Sequence, residues 1–189
     1  MVRGLPATAF FNTTVEVIVK RSLLVFALGT FVAATAHAEQ SIPNPLINYE
    51  QFQRIVTTSR TQREEHRLTE AQFISDMRRK DVVVLDARSE ARFRLRHVKG
   101  AVNLPFTEFT ATSLARIVPD KDATILIYCN NNFLDSPVAF ATKMPAASLN
   151  LATYTSLKAY GYTNIFELGP LLRIEQTRIP FEGSDVEPR

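Results

Sequence analysis

Two short runs limit what this chain can fold into. Asp81-Val82-Val83-Val84-Leu85-Asp86 is β-branched and apolar between two acids. Ala123-Thr124-Ile125-Leu126-Ile127-Tyr128 is mainly apolar and stops at Cys129 and three asparagines. Neither run alternates apolar with polar residues, so each strand is buried on both faces, as inner strands of a parallel sheet are. Parallel neighbours need crossover connections, usually helices.

The segments between and after these runs supply the helices. Thr69-Glu70-Ala71-Gln72 is a capping-box pattern and predicts a helix to about Arg79. Ser89 caps a short helix over 90–95, residues 100–105 read as a turn and a small strand, and 114–118 read as helix. Pro119-Asp120-Lys121-Asp122 is a turn. Asn150 to Tyr160 predicts a helix closed by Gly161 at its C′ position, and Ile165-Phe166-Glu167-Leu168 is the last strand. This rhythm defines an α/β domain: a mostly parallel central sheet flanked by helices on both faces.

Upstream, Asn48 caps a helix over 49–58 with Tyr49, Phe52, Ile55 and Val56 on one face. Residues 59–67 are polar and charged and read as a solvated helix end or linker. The organisation expected is a signal peptide over 1–38, a lead-in and helix over 39–66, and the α/β domain over 67–189. Lys20-Arg21, the apolar stretch Leu23 to Ala34 and Ala36-His37-Ala38 form a secretion signal with cleavage before Glu39. That stretch is shorter than the roughly 20 residues of a membrane span, so no stable membrane anchor is expected after cleavage. The expected location is outside the cytoplasm, in a bacterial periplasm. The stretch before Lys20 is long for a signal n-region, which points to a translation start near Val19.

Three of the 22 basic and one of the 19 acidic residues fall within the first 38, so the remainder is close to neutral. That balance gives nucleic-acid binding no support. The one cysteine, Cys129, has no intramolecular disulfide partner. It is either a buried small hydrophobe or a reactive thiol. The C-terminal tip of an inner strand is where open α/β sheets place their reactive groups. Beyond residue 38 the histidines are His66 and His97, without metal-ligand spacing, so neither metal nor cofactor is expected.

Asp86-Ala87-Arg88, then Phe93, then His97-Val98-Lys99-Gly100-Ala101-Val102-Asn103-Leu104-Pro105 resembles the rhodanese-like (sulfurtransferase) family. Strand-Cys129-loop-helix, then Gly161-Tyr162-Thr163-Asn164 leading to Leu168-Gly169, continues the resemblance, which covers roughly 67–175. It implies a loop of inward-turned backbone N–H groups around Cys129 and a helix N-terminus aimed at the sulfur, both favouring an anion there. It implies a thiolate that takes a sulfane sulfur from a donor as a persulfide and passes it to a nucleophilic acceptor. Asp86, Arg88, His97 and Gly100 are then structural, ordering the loops and the turn at the strand ends.

The chain departs from that pattern in two ways. Cys129 is followed by Asn130, Asn131, Asn132 and Phe133, with no cation before Lys143. The asparagines tolerate left-handed backbone angles and can build the loop; with Phe133 they are substrate-binding or loop residues. Lys143 is the candidate for the missing cation. The sixth residue after Cys129 is Asp135, where phosphatases of this fold need Arg, which argues against phosphoryl chemistry. The second departure is an insertion over 134–148, read either as an apolar lid or as an excursion packed on the sheet.

Three functions follow as expectations. One is a sulfurtransferase carrying persulfide on Cys129, served by a small sulfur donor. Another is a catalytically inactive rhodanese-like binding module with a remodelled loop. The third is sulfur trafficking in which a persulfide-carrying protein is the donor.

Overall fold

The computed structural model describes residues 42–187, so the signal segment and the start near Val19 lie outside the described residues. The central sheet has five parallel strands: β1 (Arg67–Leu68), β2 (Val82–Asp86), β4 (Val102–Asn103), β5 (Thr124–Tyr128) and β7 (Ile165–Leu168). Their spatial order is β1-β7-β5-β2-β4. The two apolar runs pair along their whole length, from Val82 beside Thr124 to Asp86 beside Tyr128.

Alternate residues of these strands feed two separate cores, as a period of two requires. Val84, Leu126 and Tyr128 join Phe73, Phe133 and Phe140 on one face. Leu85, Ile125 and Ile127 join Leu114, Tyr154, Leu157 and Tyr162 on the other. Helices α3 (Glu70–Asp76), α4 (Glu90–Leu95), α5 (Ala111–Ile117) and α6 (Leu149–Ala159) connect the strands. The fold class is the one expected, a mostly parallel sheet with helices against both faces.

Local signals fix several boundaries. Thr69 and Gln72 form the expected capping box, though α3 ends at Asp76, before the expected Arg79. The α6 helix closes at Gly161, whose φ of +87° only glycine adopts without strain, while Tyr162 N–H returns to Leu157 O at 3.0 Å. Asn48 caps α1 (Tyr49–Thr58) by accepting from Gln51 N–H at 2.8 Å. Tyr49, Phe52 and Val56 nevertheless lie exposed, and α1 buries no residue.

The stretch 59–67 keeps the solvated character expected of it, since its helix buries no residue. Arg60–Glu65 forms a second helix, α2, begun at the buried Ser59, whose hydroxyl donates to Ile55 O at 2.6 Å. The chain then enters β1, which pairs with the end of β7 through Arg67–Glu167 and Leu68–Leu168. Two small ladders were not foreseen. β3 (His97–Val98) pairs antiparallel with β9 (Phe181–Glu182), and β6 (Phe133–Leu134) pairs parallel with β8 (Leu172–Arg173).

The 134–148 insertion is packed into the domain. Ala139 and Phe140 are fully buried, and the Arg88 guanidinium lies 4.2 Å from the centre of the Phe140 ring while donating to Ala139 O at 2.9 Å. Val138 and Met144 stay in solvent.

Candidate active site

Cys129 stands one residue beyond β5, between the ends of β5 and β7 and the start of α6. Its side chain is 1 % exposed and borders a cleft of ≈ 220 Å³. The sulfur accepts from Asn131 N–H at 3.4 Å, in a reciprocal capping arrangement with Asn132 over the turn Asn130–Asn132. Ser148, which begins the 11-residue α6, places its hydroxyl 3.5 Å from the sulfur. A backbone N–H and a hydroxyl thus meet one thiol at the start of a helix.

The three asparagines are ties between backbone segments. Asn130 donates to Ala141 O at 2.6 Å. Asn131 donates to Lys143 O at 2.8 Å and accepts from Lys143 N–H at 3.0 Å, copying a strand pair with its side chain. Asn132 accepts from Cys129 N–H at 2.9 Å and donates to Leu168 O at 2.7 Å, and its Oδ1 also receives Asn150 Nδ2 at 3.2 Å. None adopts a left-handed angle; among non-glycine residues described that angle belongs to Asp135, at φ +68°. The insertion is therefore sewn to the cysteine turn by amide side chains.

Several expected site residues do not reach the cleft. Its wall includes Asn131 and Asn132 but neither Asn130, Phe133 nor Lys143. Phe133 is buried among Tyr128, Phe140 and Phe181, an aromatic cluster that a substrate-facing position would forfeit. Lys143 is exposed, held near the turn only by its backbone. Asp135 is engaged by Arg173 at 2.8 Å and does not border the cleft.

The cations come from elsewhere. Arg63 of α2 and Arg67 of β1 line the same cleft as Cys129. Both meet Glu167 of β7, through Arg63 Nη2 at 2.6 Å and Arg67 Nε at 3.2 Å to the same oxygen. Burial holds Glu167 above the usual carboxylate range, with Arg63 and then Arg67 pulling the other way. The sequence did contain a signal for this pair. A glutamate inside the apolar strand Ile165–Leu168 requires a cationic partner, because an unpaired buried charge is too expensive to keep.

Asp86 and Arg88 form a buried scaffold beneath the site. Arg88 donates through Nε to Asp86 Oδ1 at 2.9 Å and through Nη2 to Oδ2 at 2.5 Å, and reaches Arg96 O at 2.8 Å. The Tyr128 hydroxyl, adjacent in sequence to Cys129, donates to Asp86 Oδ2, and burial pushes its own ionisation well above the ordinary tyrosine value. Asn103 clasps Asp86 O and Arg88 O, both at 2.9 Å. His97 stacks on Phe93 at 3.7 Å, bonds Phe93 O through Nδ1 at 2.7 Å and is absent from the cleft wall. Gly100 turns the chain at φ +78°. Among the described residues no cluster of three or more His, Cys, Asp or Glu could hold a metal ion.

A parallel α/β domain with a strand-tip cysteine wrapped by its own turn is the arrangement expected of the rhodanese-like fold. The rhodanese-like domain family matches residues 69–168, and the chain belongs to it. A 46-residue stretch is 39 % identical to thiosulfate sulfurtransferase PspE of Escherichia coli (strain K12), covering 24 % of this chain and 43 % of that protein. The chain thus spans less than half the length of this curated relative. Among solved structures, a rhodanese with anions from E. coli is 25 % identical over 55 % of this chain and 99 % of its own, with a TM-score of 0.38. The BH2092 protein from Bacillus halodurans is 16 % identical over 70 % of this chain and 88 % of its own, with a TM-score of 0.48.

Proposed function

We propose that this chain is a sulfurtransferase that carries a sulfane sulfur as a persulfide on Cys129. The observation that carries this reading is the convergence of Asn131 N–H, the Ser148 hydroxyl and the start of α6 on the thiol at the edge of a cleft. The thiolate is the nucleophile. The thiolate attacks the sulfane sulfur of a donor, and the electron pair of the broken bond leaves with the donor's remainder. An acceptor nucleophile then removes the outer sulfur and regenerates the Cys129 thiolate, a two-step covalent route. Family membership and the PspE match support the same chemistry. The donor is a small sulfane compound or a persulfide-carrying protein, and the site of action is the periplasm.

Steady-state kinetics with a sulfane donor and cyanide as acceptor test the route. Parallel double-reciprocal lines and loss of thiocyanate formation in Cys129→Ser are expected. Activity that survives that substitution overturns the assignment.

The 1 % exposure of Cys129 favours a second reading, a binding module that performs no transfer. It requires that iodoacetamide react with Cys129 far more slowly than with a free thiol at neutral pH.

A further inference from the structure

Arg63 and Arg67 precede the family domain in sequence yet line the cysteine cleft. Besides Glu167, a second carboxylate, that of Glu64, spans them. Its Oε1 lies 3.3 Å from Arg63 Nη1 and its Oε2 lies 3.3 Å from Arg67 Nη1. The Glu64 side chain is 55 % exposed, so it can leave for water at little expense. Glu167 cannot leave, being 2 % exposed in the sheet. The cleft wall also holds buried polar atoms without a hydrogen-bond partner among the described residues: Arg63 Nε, Asn150 Oδ1 and Glu167 Oε2. Buried polar atoms are nearly always paired, and of these three Arg63 Nε is the donor that an anion can take.

The geometry points to Arg63 and Arg67 as the residues that bind the anionic group of the sulfur donor, with Glu64, outside the cleft wall, competing with the donor for both guanidiniums. This assignment rests on the persulfide reading of Cys129. In the cleft wall, two guanidiniums less the fixed Glu167 carboxylate leave one positive charge. The matching ligand is a singly charged sulfane donor with paired oxygens, of the thiosulfonate class. In the transfer, the Cys129 thiolate forms a bond to the terminal sulfur of R–SO2–S⁻. The bond from that sulfur to the sulfonyl sulfur breaks, and its electron pair leaves as the sulfinate R–SO2⁻. One negative charge stays on the persulfide and one on the sulfinate. The α2–β1 segment thereby supplies the cation that the Asn-rich turn lacks.

The test uses the full chain, with methanethiosulfonate and thiosulfate as donors. Arg67→Gln lowers kcat/KM for methanethiosulfonate about tenfold, mainly through KM, as the loss of a charge-assisted hydrogen bond requires. Arg67→Lys restores part of it, and Glu64→Gln raises it several-fold. Glu167→Gln raises the thiosulfate rate relative to methanethiosulfonate. A second readout needs no sulfur transfer: the rate of Cys129 alkylation by iodoacetate relative to neutral iodoacetamide falls in Arg67→Gln and rises in Glu64→Gln. Sulfur uptake that is indifferent to both substitutions overturns the anion site and leaves the persulfide reading standing. A shifted alkylation ratio without any sulfur uptake overturns the persulfide reading and leaves the anion site standing. An unchanged donor preference in Glu167→Gln removes the charge selectivity.

Discussion

The side chain of Asn132 accepts the backbone N–H of Cys129 at 2.9 Å while its own amide donates to Leu168 O at 2.7 Å. One residue therefore fixes the start of the cysteine turn and ties it to the end of β7 (Ile165–Leu168), where Glu167 receives the arginines.

Asn132→Ala removes that tie and leaves the buried Cys129 N–H without its partner. The expected loss is about 1–3 kcal/mol in urea-induced unfolding, together with slower sulfur uptake by Cys129. Asn131→Ala, whose partners are the exposed backbone of Lys143, costs less in the same measurement. Equal losses for the two substitutions would contradict the division of labour in the turn.

The Asp86–Arg88 pair is almost wholly removed from solvent, and Arg88 binds the insertion through Ala139 O. Arg88→Met strands the Asp86 carboxylate and is expected to destabilise the fold by about 3–5 kcal/mol. Thermal unfolding of the single mutant reads this directly. A change within the range of ordinary surface substitutions would mean that the pair is not the scaffold described.

Two glutamates give opposite acid responses. The Thr177 hydroxyl and Arg178 N–H hold Glu70 below the ordinary carboxylate value against a smaller opposing effect of burial. Its contribution to stability is present above the unfolded value, near 4.3, and is lost as pH falls through the lowered folded value. Burial holds Glu167 above that value, so its contribution is complete below the unfolded value and is lost as pH rises through the raised folded one. Stability measured against pH should therefore lose its acid-side decline in Glu70→Gln and its decline on the higher-pH side in Glu167→Gln. The reverse pattern in either variant contradicts the environment assigned to it.

At Gly161 a Cβ meets no neighbour within 4 Å, so the effect of Gly161→Ala comes from the backbone angle alone. About 1–2 kcal/mol of destabilisation is expected from forcing an L-residue to φ +87°. Circular dichroism melting of the variant checks it, and an unchanged midpoint would show that the α6 terminus adopts another turn.

The sheet and most helices were legible in the sequence because their signals are local. The uninterrupted apolar runs at 82–85 and 124–128 became the two inner strands, and Asn48 and Thr69 cap the helices expected after them. What stayed hidden depended on distant partners. Asn130, Asn131 and Asn132 read as loop formers, but their amides bond carbonyls up to 38 residues away. Arg63 and Arg67 read as solvated because a charged segment without apolar period looks the same whether it faces water or a cleft. Glu167, a lone acid in an apolar strand, was the residue that asked for them. Phe133 reads as a substrate-binding or loop residue, and the alternation of β6 (Phe133–Leu134) sends it into the aromatic core.

The central claim is that Cys129 takes up one sulfane sulfur. Intact-mass spectrometry of the purified protein after exposure to thiosulfate, methanethiosulfonate and a persulfidated protein donor tests it most directly. A gain of one sulfur atom is expected, mapped to Cys129 and abolished in Cys129→Ser. An unchanged mass with every donor, or the same gain in Cys129→Ser, would contradict it.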